Sequence, residues 1–453
     1  MNSIARKSGR PVIPVPFAHA IGRGEERGRQ ALRSMNVQIG NTETQFGPRP
    51  FYLDLDRAQF RHAWLLGKSG TGKSTLLRNL IVEALRNGCG IAVIDPHGDL
   101  VYDVFNYIPS PRKDDLVYLD PESSRVPDLG VFDHPDKEKA AQALLSLLEA
   151  HAGAGWGPET AHIFRNAIDA VLETHKHPNM LPVARFIMDS AFAEQLLLKC
   201  SNPTVKYFHN QYFKELKPQD RARAFSHPLN KVEELLRPGL REFLCQRKSL
   251  NFVSIMDRQK ILLCRVPKGI MGERPARVLG SLILSKINLA SFRRKKRGKP
   301  FFVIVDEIHN FTDGIDFETM LAESRKNGVH YIFATQTTAQ MRDEARRIFN
   351  DRIAFGNASH IFSFRVSGED SEEIAKNFGS EHAAPELVLL PNYHFKALTM
   401  CDGEPVPSNR VRLIDRLAMT GDELPARKAI AWASANTGTP KPEIEAQIMK
   451  ALA

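Results

Sequence analysis

The chain has no apolar run approaching the ~18–20 residues that a membrane-spanning helix requires, so no integral membrane segment is expected along its 453 residues. Cysteine is sparse: Cys89, Cys200, Cys245, Cys264 and Cys401 show no CxxC spacing, and Cys264 falls inside an apolar, strand-like run. Reduced core thiols and a cytoplasmic location are the expectation. Neither a secretory signal nor a lipidation motif is visible. No internal repeat is evident. No zinc finger, helix-turn-helix or comparable base-reading element can be made out, so contact with nucleic acid should carry little sequence preference.

What is present suits a large folded protein. Hydrophobic residues make up 42% of the chain, and the length allows two to three domains of ~150 residues. Lys and Arg number 62 against 52 Asp and Glu, a net +10. That balance fits a polyanionic partner without identifying one.

Residues 67–75 read Gly-Lys-Ser-Gly-Thr-Gly-Lys-Ser-Thr, a full G-x-x-x-x-G-K-S/T phosphate loop flanked by Leu65-Leu66 and Leu76-Leu77 as strand and helix. Gly67, Gly70 and Gly72 let backbone N–H groups turn toward a β-phosphate, and the helix N-terminus adds a favourable dipole. Lys73 is placed to reach the β- and γ-oxygens and Ser74 to hold Mg²⁺. With Ser69, Thr71 and Thr75 these are the expected residues for a nucleoside triphosphate.

The reaction is set by a second motif. Phe301-Phe302-Val303-Ile304-Val305 reads as a buried parallel strand and ends in Asp306-Glu307. Asp306 is expected in the Mg²⁺ shell, and Glu307 as the base that polarises water for in-line attack. Hydrolysis is favoured over transfer to a small acceptor. Val329–Gln336 forms another strand, and Gln336 reads as a γ-phosphate sensor or as the start of a loop. The strands of Asp306 and Gln336 are expected beside the phosphate-loop strand, their C-terminal ends converging on the ligand.

Three further features read two ways. Arg325, in a helix end closed by Gly328, is a dipole partner or an arginine finger acting on a neighbouring subunit, and Arg365 is a second finger candidate. His97, in Asp95-Pro96-His97-Gly98-Asp99 on a strand expected to adjoin the phosphate loop, is a turn residue or a link to the next subunit. Arg293-Arg294-Lys295-Lys296-Arg297, the densest basic run, is a solvated connection or a patch facing DNA or a partner.

Along the chain, residues 1–50 carry eight Lys and Arg against three Glu and are expected to be a basic, loosely ordered arm. An α/β core occupies 51–121 and 256–414, with strands near 62–66, 91–95 and 116–119. Between them, 122–255 shows helical spacing, as in Phe164, Ala167, Ile168, Val171 and Leu172. Asp136 is expected to cap a helix through Leu144, Leu145, Leu147 and Leu148. Lys73 and Asp306 stand 233 positions apart, so an all-α domain is inserted in the core. Residues 415–453 form a C-terminal helical segment.

The set GKSGTGKST, DPHGD, VDE, ESRKNG, ATQ and FRVSGED resembles the HerA/FtsK superfamily of ring-forming, DNA-pumping ATPases. Within it, the likeness is greatest to the coupling ATPases of type IV secretion and conjugation. It runs from about residue 50 to the C-terminus. It departs from the coupling proteins in lacking membrane-spanning helices, and from HerA proteins in having too little chain before the core for an N-terminal β-barrel. The resemblance implies a RecA-like P-loop ATPase core, a mostly parallel sheet with flanking helices. It implies ATP and Mg²⁺ as cofactors, Lys73, Glu307, Gln336 and Arg325 as catalytic residues, and Ser74 and Asp306 as metal ligands. It also implies a hexameric ring that moves DNA, with a nuclease, relaxase or secretion component as partner. The alternatives are a secretion ATPase that energises protein transfer or assembly, and an ATP-dependent ring scaffold for a partner nuclease or effector.

Overall fold

The computed structural model describes residues 35–452, apart from 57–59, 153–154, 296–297, 339–355, 379–382, 402–403 and 416. The strands, in chain order, begin with β1 (Asn36–Thr42), β2 (Arg49–Asp54), β3 (Ala63–Leu66) and β4 (Gly90–Asp95). β5 (Leu116–Leu119), β6 (Arg125–Val126), β7 (Ile261–Arg265), β8 (Phe301–Val305) and β9 (Val329–Thr335) follow. β10 (His360–Ser363), β11 (His394–Cys401), β12 (Glu404–Pro407), β13 (Val411–Leu413) and β14 (Thr439–Pro440) complete the set.

All but β6 and β14 join one sheet in the order β2-β1-β13-β11-β10-β3-β9-β8-β4-β7-β5, with β12 on β11. From β10 to β5 the pairs are parallel, and the strands at the β2 side are antiparallel. β3, β4, β7, β8 and β9 are buried along their whole length, the pattern of parallel strands covered on both faces. Alternate residues feed opposite layers. Ile91 and Val93 pack with helix Lys73–Arg86, whereas Ala92 and Ile94 pack with helix Glu273–Ser291 and the inserted helices.

The insertion is helical from Lys137 to Asp257. Phe164, Ala167, Ile168 and Val171 are buried and Leu172 half-buried against the same apolar layer as the sheet. Asp136 accepts a bond from the Lys139 backbone N–H at 3.1 Å, capping the expected helix. The described residues form one compact unit, because the inserted helices bury their apolar faces directly on the sheet. The C-terminal helices divide between the layers. Helix Ala426–Asn436 packs on the side of Lys73–Arg86, and Ile444 and Ile448 of helix Lys441–Leu452 join the insertion side.

Four expectations need correction. The arm expected over 1–50 is ordered from Asn36, where Val37 and Ile39 alternate inward and β1 pairs with both β2 and β13; residues 1–34 lie outside the described part. β9, not β8, adjoins the phosphate-loop strand β3 on that side, and β8 comes next. β4, which carries Asp95 and leads to His97, lies beyond β8, because its partners are β8 and β7. Finally, Arg294 is neither solvated nor free to face a partner. It is buried, and its guanidinium donates to the carbonyls of Asn327, Gly328 and Lys299. Lys296 and Arg297 are outside the described residues.

Candidate active site

The parallel strands end together on one side, and their end loops supply the site. After β3 the chain turns through Gly67-Gly72 into helix Lys73–Arg86. Gly72 has φ +117°, and a Cβ there would sit 3.1 Å from the Phe364 ring and 3.3 Å from Tyr393. Only glycine combines that left-handed backbone with so close an approach. The loop is also fastened from outside: the Lys68 N–H donates to Arg365 O at 2.8 Å, and the Tyr393 N–H to Thr71 O at 2.8 Å. Thr71 Oγ1 closes it internally on Lys68 O at 2.7 Å.

Lys73 begins the helix with its Nζ drawn back over the loop, donating to Gly67 O at 2.5 Å and Lys68 O at 3.1 Å. Burial lowers its pKa, opposed by the charges of Glu307 and Asp306. Asp306, at the end of β8, is 7% exposed. Burial first, then Asp95 and Glu307, push its carboxyl up to about 7, with Lys73 acting against them. Asp95 is engaged otherwise, accepting from the backbone N–H groups of His97 at 2.9 Å and Val101 at 3.2 Å.

Glu307 has φ +49°, an uncommon conformation for a side-chain-bearing residue. Its backbone is held there: its N–H donates to Asp306 Oδ1 at 3.0 Å, and its carbonyl accepts from the Asn310 backbone and side chain, each at 2.9 Å. Gln336 Nε2 donates to the carboxylate at 2.9 Å from Oε1, and His309 Nδ1 lies 3.4 Å from Oε2. The loop carrying Gln336 is in turn pinned by Asp370 of helix Gly368–Asn377. That carboxylate accepts from the Thr338 N–H at 2.8 Å and its hydroxyl at 2.6 Å.

These groups surround a cavity of about 310 Å³ lined by Ser69, Gly70, Gly72, Lys73, Ser74, Thr75, Asp306, Glu307 and Gln336. Gly67 and Thr71 do not line it and act within the loop, Gly67 O accepting from Lys73 Nζ and Thr71 Oγ1 donating to Lys68 O. Asp95, His97, Asp99, Leu100 and Tyr393 complete the wall; Asp99 closes the DPHGD motif but was given no role there, and Tyr393 had no signal in the sequence, since it belongs to no spaced motif around the phosphate loop. Arg325 and Arg365 lie outside the cavity. Arg325 precedes β9, so it stands at the N-terminal end of the strand whose C-terminal end leads to Gln336. It is exposed, and among the described residues it makes no ion pair. Arg365 Nη2 donates to Asn392 Oδ1 at 2.8 Å.

The donor set suits Mg²⁺. A buried carboxylate beside two others, with Lys73 as the nearby cation, carries excess negative charge, and Ser74 presents a hydroxyl to the same cavity. Among the described residues no cluster of three or more His, Cys, Asp or Glu could hold a metal by itself. Mg²⁺ takes one or two protein ligands at nucleotide sites and completes its shell with phosphate and water.

Two family models match the chain: the central domain of helicase HerA over residues 37–176, and the TraM recognition site of TraD and TraG over residues 300–385. No curated protein matches it in sequence. Among solved structures, the plasmid coupling protein TrwB in complex with ADP and Mg²⁺ is 16% identical, with 89% of this chain and 99% of that chain covered and a TM-score of 0.64. VirB4 of Thermoanaerobacter pseudethanolicus is 13% identical, with 85% and 98% covered and a TM-score of 0.60. Matched models and fold together bear out the resemblance read from the motifs: this chain is similar to HerA-type helicases and to conjugative coupling proteins, and it has the coupling-protein fold.

Proposed function

We propose that the chain is an ATP-hydrolysing motor of the HerA/FtsK type that assembles as a hexameric ring and moves DNA, as a coupling ATPase of conjugation or type IV secretion. The observation that carries the reading is the meeting of Lys73, Asp306, Glu307 and Gln336 around one cavity at the C-terminal ends of parallel strands. TrwB has been solved with ADP and Mg²⁺ and with a non-hydrolysable ATP analogue on the same fold. Lys73 and the backbone of Ser69–Thr75 hold the phosphates, and Ser74 and Asp306 hold Mg²⁺, which when bound draws charge from the phosphate oxygens. Glu307 accepts a proton from the attacking water, and its fixed backbone aims the carboxylate while Gln336 orients it.

Arg325 acts as the finger in trans. Standing at the opposite end of β9 from its own site, it serves a neighbour, and a ring supplies one. No helix among the described residues is long and apolar enough to cross a membrane, and we place the protein in the cytoplasm, docking through a nuclease, relaxase or secretion component. The test is ATP turnover with and without DNA on rings sized by light scattering. Stimulation by DNA is expected. Turnover indifferent to DNA, with salt-insensitive DNA binding, would instead assign the motor to protein transfer or scaffolding.

A further inference from the structure

The loop before β11 sets Tyr393 in the cavity wall, and three observations about it converge. Its backbone is left-handed, φ +61°, although it is not glycine. That conformation is fixed from both sides, because its N–H donates to Thr71 O and its carbonyl accepts from the Leu413 N–H, each at 2.8 Å. The side chain is nevertheless 45% exposed, and it faces the cavity instead of packing away. A strained, over-determined backbone that presents an open aromatic ring to a cavity is the arrangement of a ligand clamp.

Sheet order supplies the direction. Asp306, Glu307 and Gln336 follow β8 and β9, on one side of β3, and so fix the γ-phosphate end; Tyr393 precedes β11, which lies beyond β10 on the other side. A nucleotide whose phosphates follow the loop from Lys73 toward Thr75 carries its base away from the carboxylates, toward Tyr393, whose Cα is 3.3 Å from where a Gly72 Cβ would stand. Resting on the nucleotide-binding reading above, we infer that the Tyr393 ring is the base-stacking residue of this site, and that it recognises the base by its face. A π-face accepts either purine, so ATP and GTP should bind within about threefold of each other.

The experiment is calorimetric titration of the full chain and its Tyr393→Ala and Tyr393→Phe variants with ATP, GTP and inorganic tripolyphosphate, which has no base. Stacking of this kind should cost about tenfold or more in ATP and GTP affinity when the ring is removed. Tyr393→Ala should leave tripolyphosphate within about twofold of wild type, and Tyr393→Phe should bind all three like wild type. Unchanged ATP affinity in Tyr393→Ala overturns the assignment. So does a parallel loss of tripolyphosphate, which would make the ring a prop for the loop, or a Phe variant as weak as Ala, which would make the hydroxyl the contact. GTP weaker than ATP by more than about tenfold in the wild type would show edge recognition and also overturn it. A wild-type chain that binds neither ATP nor tripolyphosphate, with Lys73→Ala indistinguishable from it, removes the underlying nucleotide site as well.

Discussion

At the scale of single residues, Glu307 and Lys73 separate binding from chemistry. Lys73→Ala removes the cation that meets the phosphates and should abolish nucleotide binding in a titration. Glu307→Gln keeps the shape and a partner for Gln336 but cannot take the water's proton, so it should bind ATP normally and lose nearly all turnover. Wild-type hydrolysis by Glu307→Gln would refute the assignment. The buried histidines give a pH signature. Burial holds His360 down at about 3 and His62 at about 4; His360 stacks on Phe60, and its ring nitrogens have no hydrogen-bond partner among the described residues. Unfolded histidine takes a proton below about pH 6.5 and these folded ones do not, so this contribution to stability is complete above pH 6.5 and lost as pH falls. Asp306 and Asp128, raised to about 7, act in the opposite sense because the folded state takes the proton first. The histidine contribution must therefore be read as a difference. Relative to wild type, His360→Leu should gain about 1.4 kcal/mol per pH unit between pH 6 and 4 in denaturant unfolding, and a flat difference would show that His360 titrates normally.

At the scale of elements, the basic run after helix Glu273–Ser291 divides into residues of different kinds. Arg294→Ala removes the donor from Asn327 O in the turn at Gly328, leaves Gly328 O with the Phe301 N–H alone, and empties a buried site; it should cost about 1–3 kcal/mol in thermal or denaturant unfolding, whereas exposed Arg293→Ala should stay within about 0.5 kcal/mol. Equal effects would return the run to a uniform solvated connection. The same turn presents Arg325. Arg325→Ala should lose about 10³-fold or more in turnover with nucleotide affinity preserved. Mixing it with Lys73→Ala subunits should recover activity at those interfaces that pair an intact site with an intact finger. No recovery in rings shown to be mixed would exclude action in trans.

At the scale of the whole molecule, a ring that grips phosphates should bind duplex DNA with log K falling by about 0.9 per released counterion as log salt rises, and with little sequence preference. A salt-independent affinity would contradict a DNA channel. What the sequence determined by itself is local. The phosphate loop and the strands of Asp306 and Gln336 were legible because fully buried parallel strands are short, continuous apolar runs, and phosphate binding needs glycine and lysine at fixed spacing along one segment. The helices between Lys137 and Asp257 were legible from helical periodicity. The tertiary structure decided what depends on residues distant in sequence: that β9 separates β3 from β8, that β1 and β2 extend the sheet, that Arg294 is buried, and that Tyr393 reaches the phosphate loop. The physical reason is that strand order is fixed by long-range pairing and by how the two apolar layers close over the sheet. A Pro-Asn-Tyr turn carries no periodicity or spacing to reveal which loop it will meet.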